Sequence, residues 1–362
     1  MPKRLLLLGG GHSHVHVLKT LTERYFPEAE VTLISPYARQ VYSGMLPGWV
    51  AGHYAIDQCV IPLAPLAQRA DVTFLQKTAK RIDFATQTVL CDDGAAVPFD
   101  VLSIDTGPVA DLSGLPGAVD YAVSIRPIEK FIEAFAGIKA SIESGATHRV
   151  AFVGAGAGGI ELALAMEFAF RRHGVGVTLI SAADTLPGGA GKRLARLLRA
   201  RGISLLSGQS AVRIAPHEVH LASGSVVAAD HIIVATGAAA AAWPLAAGLA
   251  CDPQGFISVN SRLQSDSHPA VFAAGDCASM ENEPRPRSGV YAVRAGPPLA
   301  DNLRHYCKGE PLLSYKPQLR SLYLISAGDR YAVGSWGNLT WEGYLTWWWK
   351  DFIDRKFVGK YR

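Results

Sequence analysis

Apolar positions along the chain fall into two copies of one pattern. A short apolar run, RLLLL at 4–8, meets a glycine turn, GGGHSHV at 9–15, and then a helical periodicity to about Glu23, before the next run EVTLI at 30–34. The same order returns as RVAFV at Arg149–Val153, GAGAGGIE at 154–161, a long apolar helical stretch and GVTLIS at 176–181. Each turn stands between a strand and a helix, so each predicts a βα unit whose unpaired helix N–H groups can cradle a phosphate. Weaker alternation in DVTFL (71–75), KRIDF (80–84) and TVLCD (88–92) predicts small antiparallel strands after the first unit. Alternation over 212–227 predicts their counterpart after the second. DVLSIDTG (100–107) and HIIVATG (231–237) then close the two units as internal echoes, and VFAAGD (271–276) follows downstream. One glycine turn alone is weak evidence, whereas two in matching contexts point to two bound dinucleotides.

With 362 residues the chain exceeds what one core usually organises. We expect an α/β protein with a discontinuous first domain over 1–115 and 250–320, a second over 116–249, and a C-terminal region over 321–362. The formal charge of +4 includes no basic run long enough for a nucleic-acid footprint, and KRLARLLRAR (192–201) reads as a solvated helix face. The five cysteines, Cys59, Cys91, Cys251, Cys277 and Cys307, show no CxxC or CxxxxC spacing, which suits a reducing, cytoplasmic compartment. The start MPKRLLLL has only four leucines before its glycines and reads as a first strand rather than a signal peptide. Residues 232–250 are apolar but interrupted by Gly237 and Pro244, which argues against a membrane span.

GGGHSHVHVL, VYSGMLPGWVAGHY, SGVYAVRAGPPLADNL and KDFIDRKF together carry a resemblance. The chain resembles the pyridine nucleotide-disulphide oxidoreductases, within them the type II NADH dehydrogenase-like branch, and more closely the subgroup fused to, or encoded with, selenide, water dikinase. That resemblance implies two Rossmann-like domains of three layers (ββα). It implies FAD at the first turn, held by Gly9, Gly10, Gly11, His12, Ser13 and His14, with Ser35, Arg39, Thr106, Gly107, Gly275 and Asp276 completing the site. It places NADH or NADPH at Gly154, Gly156, Gly159, Ser181, Thr236 and Gly237. Hydride would pass from the nicotinamide to the flavin, and electrons onward to a quinone or another small acceptor. A soluble reductase serving selenium or sulfur metabolism, and a flavoprotein partner or sensor with little turnover, are the alternatives.

Several positions depart from the general pattern. His14 replaces the third glycine of the first turn, which keeps helix and strand further apart. Serines stand at 35 and 181, where an acidic residue often binds ribose, so the choice between NADH and NADPH is open. HSHVH (12–16) reads as phosphate positioning or packing and not as a metal site, because alternate residues at a helix start do not share a face. Glu161 reads equally as a glutamate near nicotinamide and flavin or as a first-turn helix acid. Quinone-reducing relatives carry Ala-Gln about where Gly289 and Val290 stand here, and Tyr291 and Arg294 offer other contacts or serve the fold. Cys277 reads as packed, and a Cys59–Cys251 redox pair has no support in spacing.

At the C-terminus a helical wheel puts Trp341, Leu345, Trp348, Trp349 and Phe352 on one face, opposite Lys350, Asp351 and Asp354. Two uses fit this face: contact with a membrane interface on the cytoplasmic side through 340–362, or packing on the flavin domain or a second copy in a homodimer.

Overall fold

The computed structural model describes residues 1–110, 112–186 and 188–362. Its two largest sheets are parallel and five-stranded, built on the two apolar runs that precede the glycine turns. In the first sheet the order is Val271–Ala273, Val101–Ile104, Lys3–Leu8, Ala29–Ile34 and Thr73–Leu75, with Leu5 level with both Val31 and Val101. Leu5, Leu6, Leu7 and Leu8 are all buried, because helices cover one face and a three-stranded antiparallel sheet (Ala79–Asp83, Thr88–Cys91, Ala96–Pro98) contributes Ile82, Val89 and Cys91 to the same core. Burial of each leucine contributes about 1.5–3 kcal/mol.

The second sheet repeats the plan as Val123–Ser124, His231–Val234, Arg149–Val153, Gly176–Ile180 and Ser204–Leu206. Successive side chains of a strand point to opposite faces. Val150 and Phe152 therefore enter a core shared with the helices Ile128–Glu143 and Ala157–Phe170, while Ala151 and Val153 enter another beneath the antiparallel strands Ala211–Ala215, Glu218–Leu221 and Val226–Ala228. Helix, parallel sheet and antiparallel sheet make three layers in each unit.

Three local expectations are corrected. Residues 71–75 do not join the small antiparallel sheet; Thr73–Leu75 pairs in parallel with Ala29–Ile34 as the sheet's edge, and an edge strand alternates in burial much as an antiparallel one does. The 192–201 stretch is not a solvated face alone. In the helix Gly191–Ala200, Arg193 donates to Thr340 (2.9 Å) and Glu342 (3.2 Å), Arg196 also engages Glu342, and Arg201 pairs with Asp329. These arginines dock the C-terminal strands Leu322–Ser326, Ala332–Trp336 and Leu339–Gly343. Third, Trp341 lies on the last of those strands, its ring packed against Gly334, and the terminal helix begins only at Tyr344 (Tyr344–Tyr361). Among the described residues no helix is long and apolar enough to cross a membrane; residues 232–250 hold the end of the strand His231–Val234, the two-residue strand Ala238–Ala239 and a short helix, Trp243–Ala246.

Candidate dinucleotide and electron-transfer site

Both glycine turns open into one cavity of about 2150 Å³ that runs between the two parallel sheets. At its first turn Gly9 has φ +94°, and a Cβ there would lie 2.4 Å from the Asp105 carbonyl oxygen. Gly154 repeats this with φ +110° and a distance of 2.5 Å to the Ala235 carbonyl. Only glycine fits either position.

At the third position the turns diverge. A Cβ on Gly159 would fall 2.0 Å from the Gly154 carbonyl oxygen, so helix and strand are in backbone contact. In the first turn the His14 ring occupies that space: Nδ1 bonds to the Gly9 carbonyl (2.6 Å) and Nε2 to Ser103 (2.8 Å). The wider spacing expected from the histidine is thus filled by the ring, and burial lowers its pKa to about 4. His12 is likewise lowered to about 4 by burial and packs against Tyr42 and Phe357, while His16 faces Tyr361. Among the described residues no group of three His, Cys, Asp or Glu side chains stands together as a metal would need.

Gly10, Gly11, His12, Ser35, Arg39, Thr106, Gly107 and Asp276 line the first lobe of the cavity, and Gly154, Gly156, Gly159, Ser181, Thr236 and Gly237 the second. Ser13, His14, Gly275 and Tyr291 lie behind the lining, whereas Glu161, Val290 and Arg294 are part of it. Ser35 donates to the Tyr37 carbonyl (3.1 Å) and accepts from the Tyr37 N–H (3.3 Å), and Ser181 donates to the Ala183 carbonyl (3.0 Å), so both hydroxyl protons are engaged and further bonds at either oxygen must be accepted ones. Arg39 forks onto Glu129 (3.1 and 2.9 Å). Burial raises the Asp276 carboxyl, opposed by the guanidinium groups of Arg126 and Arg287.

The residues present suit two dinucleotides on local grounds. His12 Nε2 and Thr236 Oγ1 are buried at the cavity with no protein partner. Gly156 caps the helix Ala157–Phe170 with no side chain over its N–H groups, leaving them to an anion.

Sequence reasoning missed a charged cluster on the cavity wall. Lys350 of the terminal helix donates to the Gly44 carbonyl (2.8 Å) and Asp354 (2.9 Å), and stands 3.9 Å from Glu161. Glu161 accepts from the Ser326 N–H (2.8 Å). Burial raises the Glu161 carboxyl despite Lys350; burial works against the Lys350 charge, but Asp354 and Glu161 outweigh it and its pKa rises. Tyr42 lines the same wall and is raised by burial and then by Asp354. Deeper along the helix Asp351 accepts from Tyr54 (2.6 Å) and Arg355 (2.8 Å).

The wheel's two faces are therefore oriented with the charges inward. Lys350, Asp351 and Asp354 face the protein, while Leu345, Trp348, Trp349 and Phe352 are 85%, 52%, 45% and 61% exposed, which removes packing on the flavin domain as their role. The five cysteines are free. Cys277 donates to the Ala274 carbonyl (3.2 Å), and burial pushes its thiol up to about 12; Cys59 is likewise pushed to about 12.

The sequence pattern of the pyridine nucleotide-disulphide oxidoreductases matches residues 3–296. The chain belongs to that family. Its relatives include the NADH dehydrogenase-like protein YutJ of Bacillus subtilis, 25% identical over 329 residues and 88% of each chain. The type II NADH:quinone oxidoreductase of Staphylococcus aureus is 24% identical over 394 residues, spanning 99% of this chain and 96% of the relative. In fold the chain is similar to the sulfide:quinone oxidoreductase of Aquifex aeolicus, with a TM-score of 0.84 at 20% identity over 99% of this chain and 91% of that one. NDH2 of Plasmodium falciparum in complex with NADH gives 0.83 at 13% identity over 99% and 97%. Proteins of this family are oxidoreductases that use FAD with NADH as substrate. The mixed α/β architecture with parallel-sheet, Rossmann-like cores matches these solved structures.

Proposed function

We propose that the protein is an FAD-dependent NAD(P)H oxidoreductase that delivers electrons to a quinone at a membrane surface. The observation that carries this reading is the single cavity joining two glycine turns to the Glu161–Lys350–Asp354 wall. FAD at the first turn supplies hydride acceptance from the nicotinamide and electron release to the acceptor. The protein's part is to hold both rings in register, exclude water and keep a proton near the acceptor. Glu161, raised by burial and beside Lys350, is suited to hold that proton, and Tyr42 and Asp354 extend the polar wall. The second strand end offers Ser181 and the short side chains Ala182, Ala183 and Thr185 to the cavity, with no guanidinium or ammonium for a 2′-phosphate there among the described residues, which favours NADH.

Anaerobic stopped flow tests this. NADH is expected to bleach the flavin faster than NADPH, and a short-chain quinone to restore the colour rapidly. Absence of bleaching by either coenzyme would overturn the enzyme reading. Bleaching without reoxidation would favour the second reading, a soluble reductase in selenium or sulfur metabolism, which Val290 supports because no side-chain amide is offered at the mouth of the helix Gly289–Lys308.

Membrane contact is assigned to the outward aromatic face of the terminal helix, with Lys356 and Lys360 beside it. Full-length protein is expected to float with anionic liposomes, and a Trp348→Ser/Phe352→Ser variant to stay at the bottom of the gradient with its flavin spectrum unchanged. Equal flotation of both would remove the membrane from the proposal.

A further inference from the structure

The two turns correspond residue for residue, with one chemical difference beneath them. Gly9 packs on the Asp105 carbonyl and Gly154 on the Ala235 carbonyl, so Asp105 and Ala235 hold the same place in their units. Ala235 carries nothing that reaches the helix above it. Asp105 does: its Oδ2 accepts from the N–H groups of Ser13 (2.7 Å) and His14 (3.0 Å). Gly11 and Gly275 close over the carboxylate so tightly that a Cβ on either would fall 2.3 Å and 2.4 Å from its atoms. Asp105 is 2% exposed.

The groups facing it offer no counter-charge. From the helix His12–Glu23 come His12 and His14, both held neutral by burial near pKa 4. From the 275–277 segment come Asp276, a like charge, and the Cys277 thiol, protonated throughout the neutral range. Ser13 and Ser103 are neutral hydroxyls. Among the described residues no Lys or Arg bonds to the carboxylate. Burial outweighs its two N–H bonds and raises the carboxyl to about 7.

We propose that Asp105 is a positioning residue for the first turn that takes up one proton when a dinucleotide pyrophosphate settles there. The inference rests on the reading that this turn holds FAD. The N–H groups at a helix start serve an anion, and here two of them already serve a carboxylate. A pyrophosphate brings two further negative charges to the same turn. In a low dielectric, anions crowded onto shared donors relieve their repulsion by binding a proton, as paired carboxylates do. The pyrophosphate is not basic enough near neutrality, so the proton goes to Asp105.

The sign follows from linkage. Below the free-state pKa Asp105 is protonated with or without FAD, and affinity does not change with pH. Above it each FAD bound takes up one proton, and Kd rises about tenfold per pH unit until the bound-state pKa is reached. NADH at the second turn, over Ala235, has no such dependence and serves as the internal control.

The test uses the full chain stripped of flavin. FAD is titrated by calorimetry from about pH 6 to pH 9, with the alkaline points repeated in two buffers of different ionisation enthalpy so that proton uptake is counted directly. We expect Kd to be flat in acid and to rise about tenfold per unit above neutrality, with uptake approaching one proton; Asp105→Asn should give a flat Kd and no uptake. A flat wild-type Kd with no proton uptake, or a slope that survives in Asp105→Asn, would overturn the assignment. Because the proton count is made on the wild type, absence of uptake overturns the assignment even if the variant does not fold. Failure of FAD to bind at any pH is a different result, which sinks the flavin reading itself and this inference with it.

Discussion

Gly159→Val should yield a flavoprotein that NADH reduces at least about 100-fold more slowly than the wild type. A Cβ at this position would stand 2.0 Å from the Gly154 carbonyl oxygen and 3.2 Å from the Ala235 Cβ. The first contact is with backbone, so no rotamer change relieves it. The helix Ala157–Phe170 must lift from its sheet, carrying with it the uncapped N–H groups at its start and Glu161 on the next half-turn. A displacement of about an ångström at a reacting centre is enough for a loss of that size. Overpacking should cost stability about 1–3 kcal/mol. The first turn belongs to another sheet and another core, so flavin content should stay at the wild-type level. Stopped-flow reduction and the flavin-to-protein absorbance ratio read both quantities; reduction within a few-fold of wild type would refute the coenzyme assignment of the second turn.

The second large effect is expected at Lys350. Its side chain is 11% exposed and neutralises Asp354 and Glu161, themselves 6% and 12% exposed. Lys350→Met leaves two buried acids facing one another without a cation, and removing one member of a buried pair typically costs about 3–5 kcal/mol. Denaturant unfolding measures this loss. Lys350→Met/Asp354→Leu should recover part of the stability, because one of the two uncompensated acids is gone and Glu161 alone remains, while quinone-dependent turnover stays depressed by about 100-fold. Reduction of the flavin by NADH should fall much less. Equal losses in both half-reactions would show that Lys350 supports the fold of the site and not the acceptor step.

The turns, their strands and the doubling of the unit were legible because each depends on local chemistry. Gly9 and Gly154 need positive φ, and RLLLL and RVAFV need burial on both sides. The orientation of the terminal helix was not legible. A wheel separates the Trp348 side from the Lys350 side without saying which faces the protein, and the usual expectation fails here because Glu161, 189 residues earlier in the chain (350 − 161), supplies the buried partner. Asp105 left a faint signal: in the echo of SIDTG and IVATG an acid stands where its counterpart has alanine. Trp341 was misread because helical periodicity and the register of a short strand overlap when aromatic residues cluster.

The seat of the terminal helix has a thermodynamic consequence. One rod of 18 residues presents aromatic rings to the exterior and, on its reverse, Lys350 and Asp354 to the cavity. If the cavity holds an acceptor on the reverse side and a surface docks on the outer side, as proposed, both bind the same body, and any preference each has for how that body sits is shared. By reciprocity, whatever factor the surface contributes to affinity inside the cavity, an occupied cavity returns to affinity for the surface.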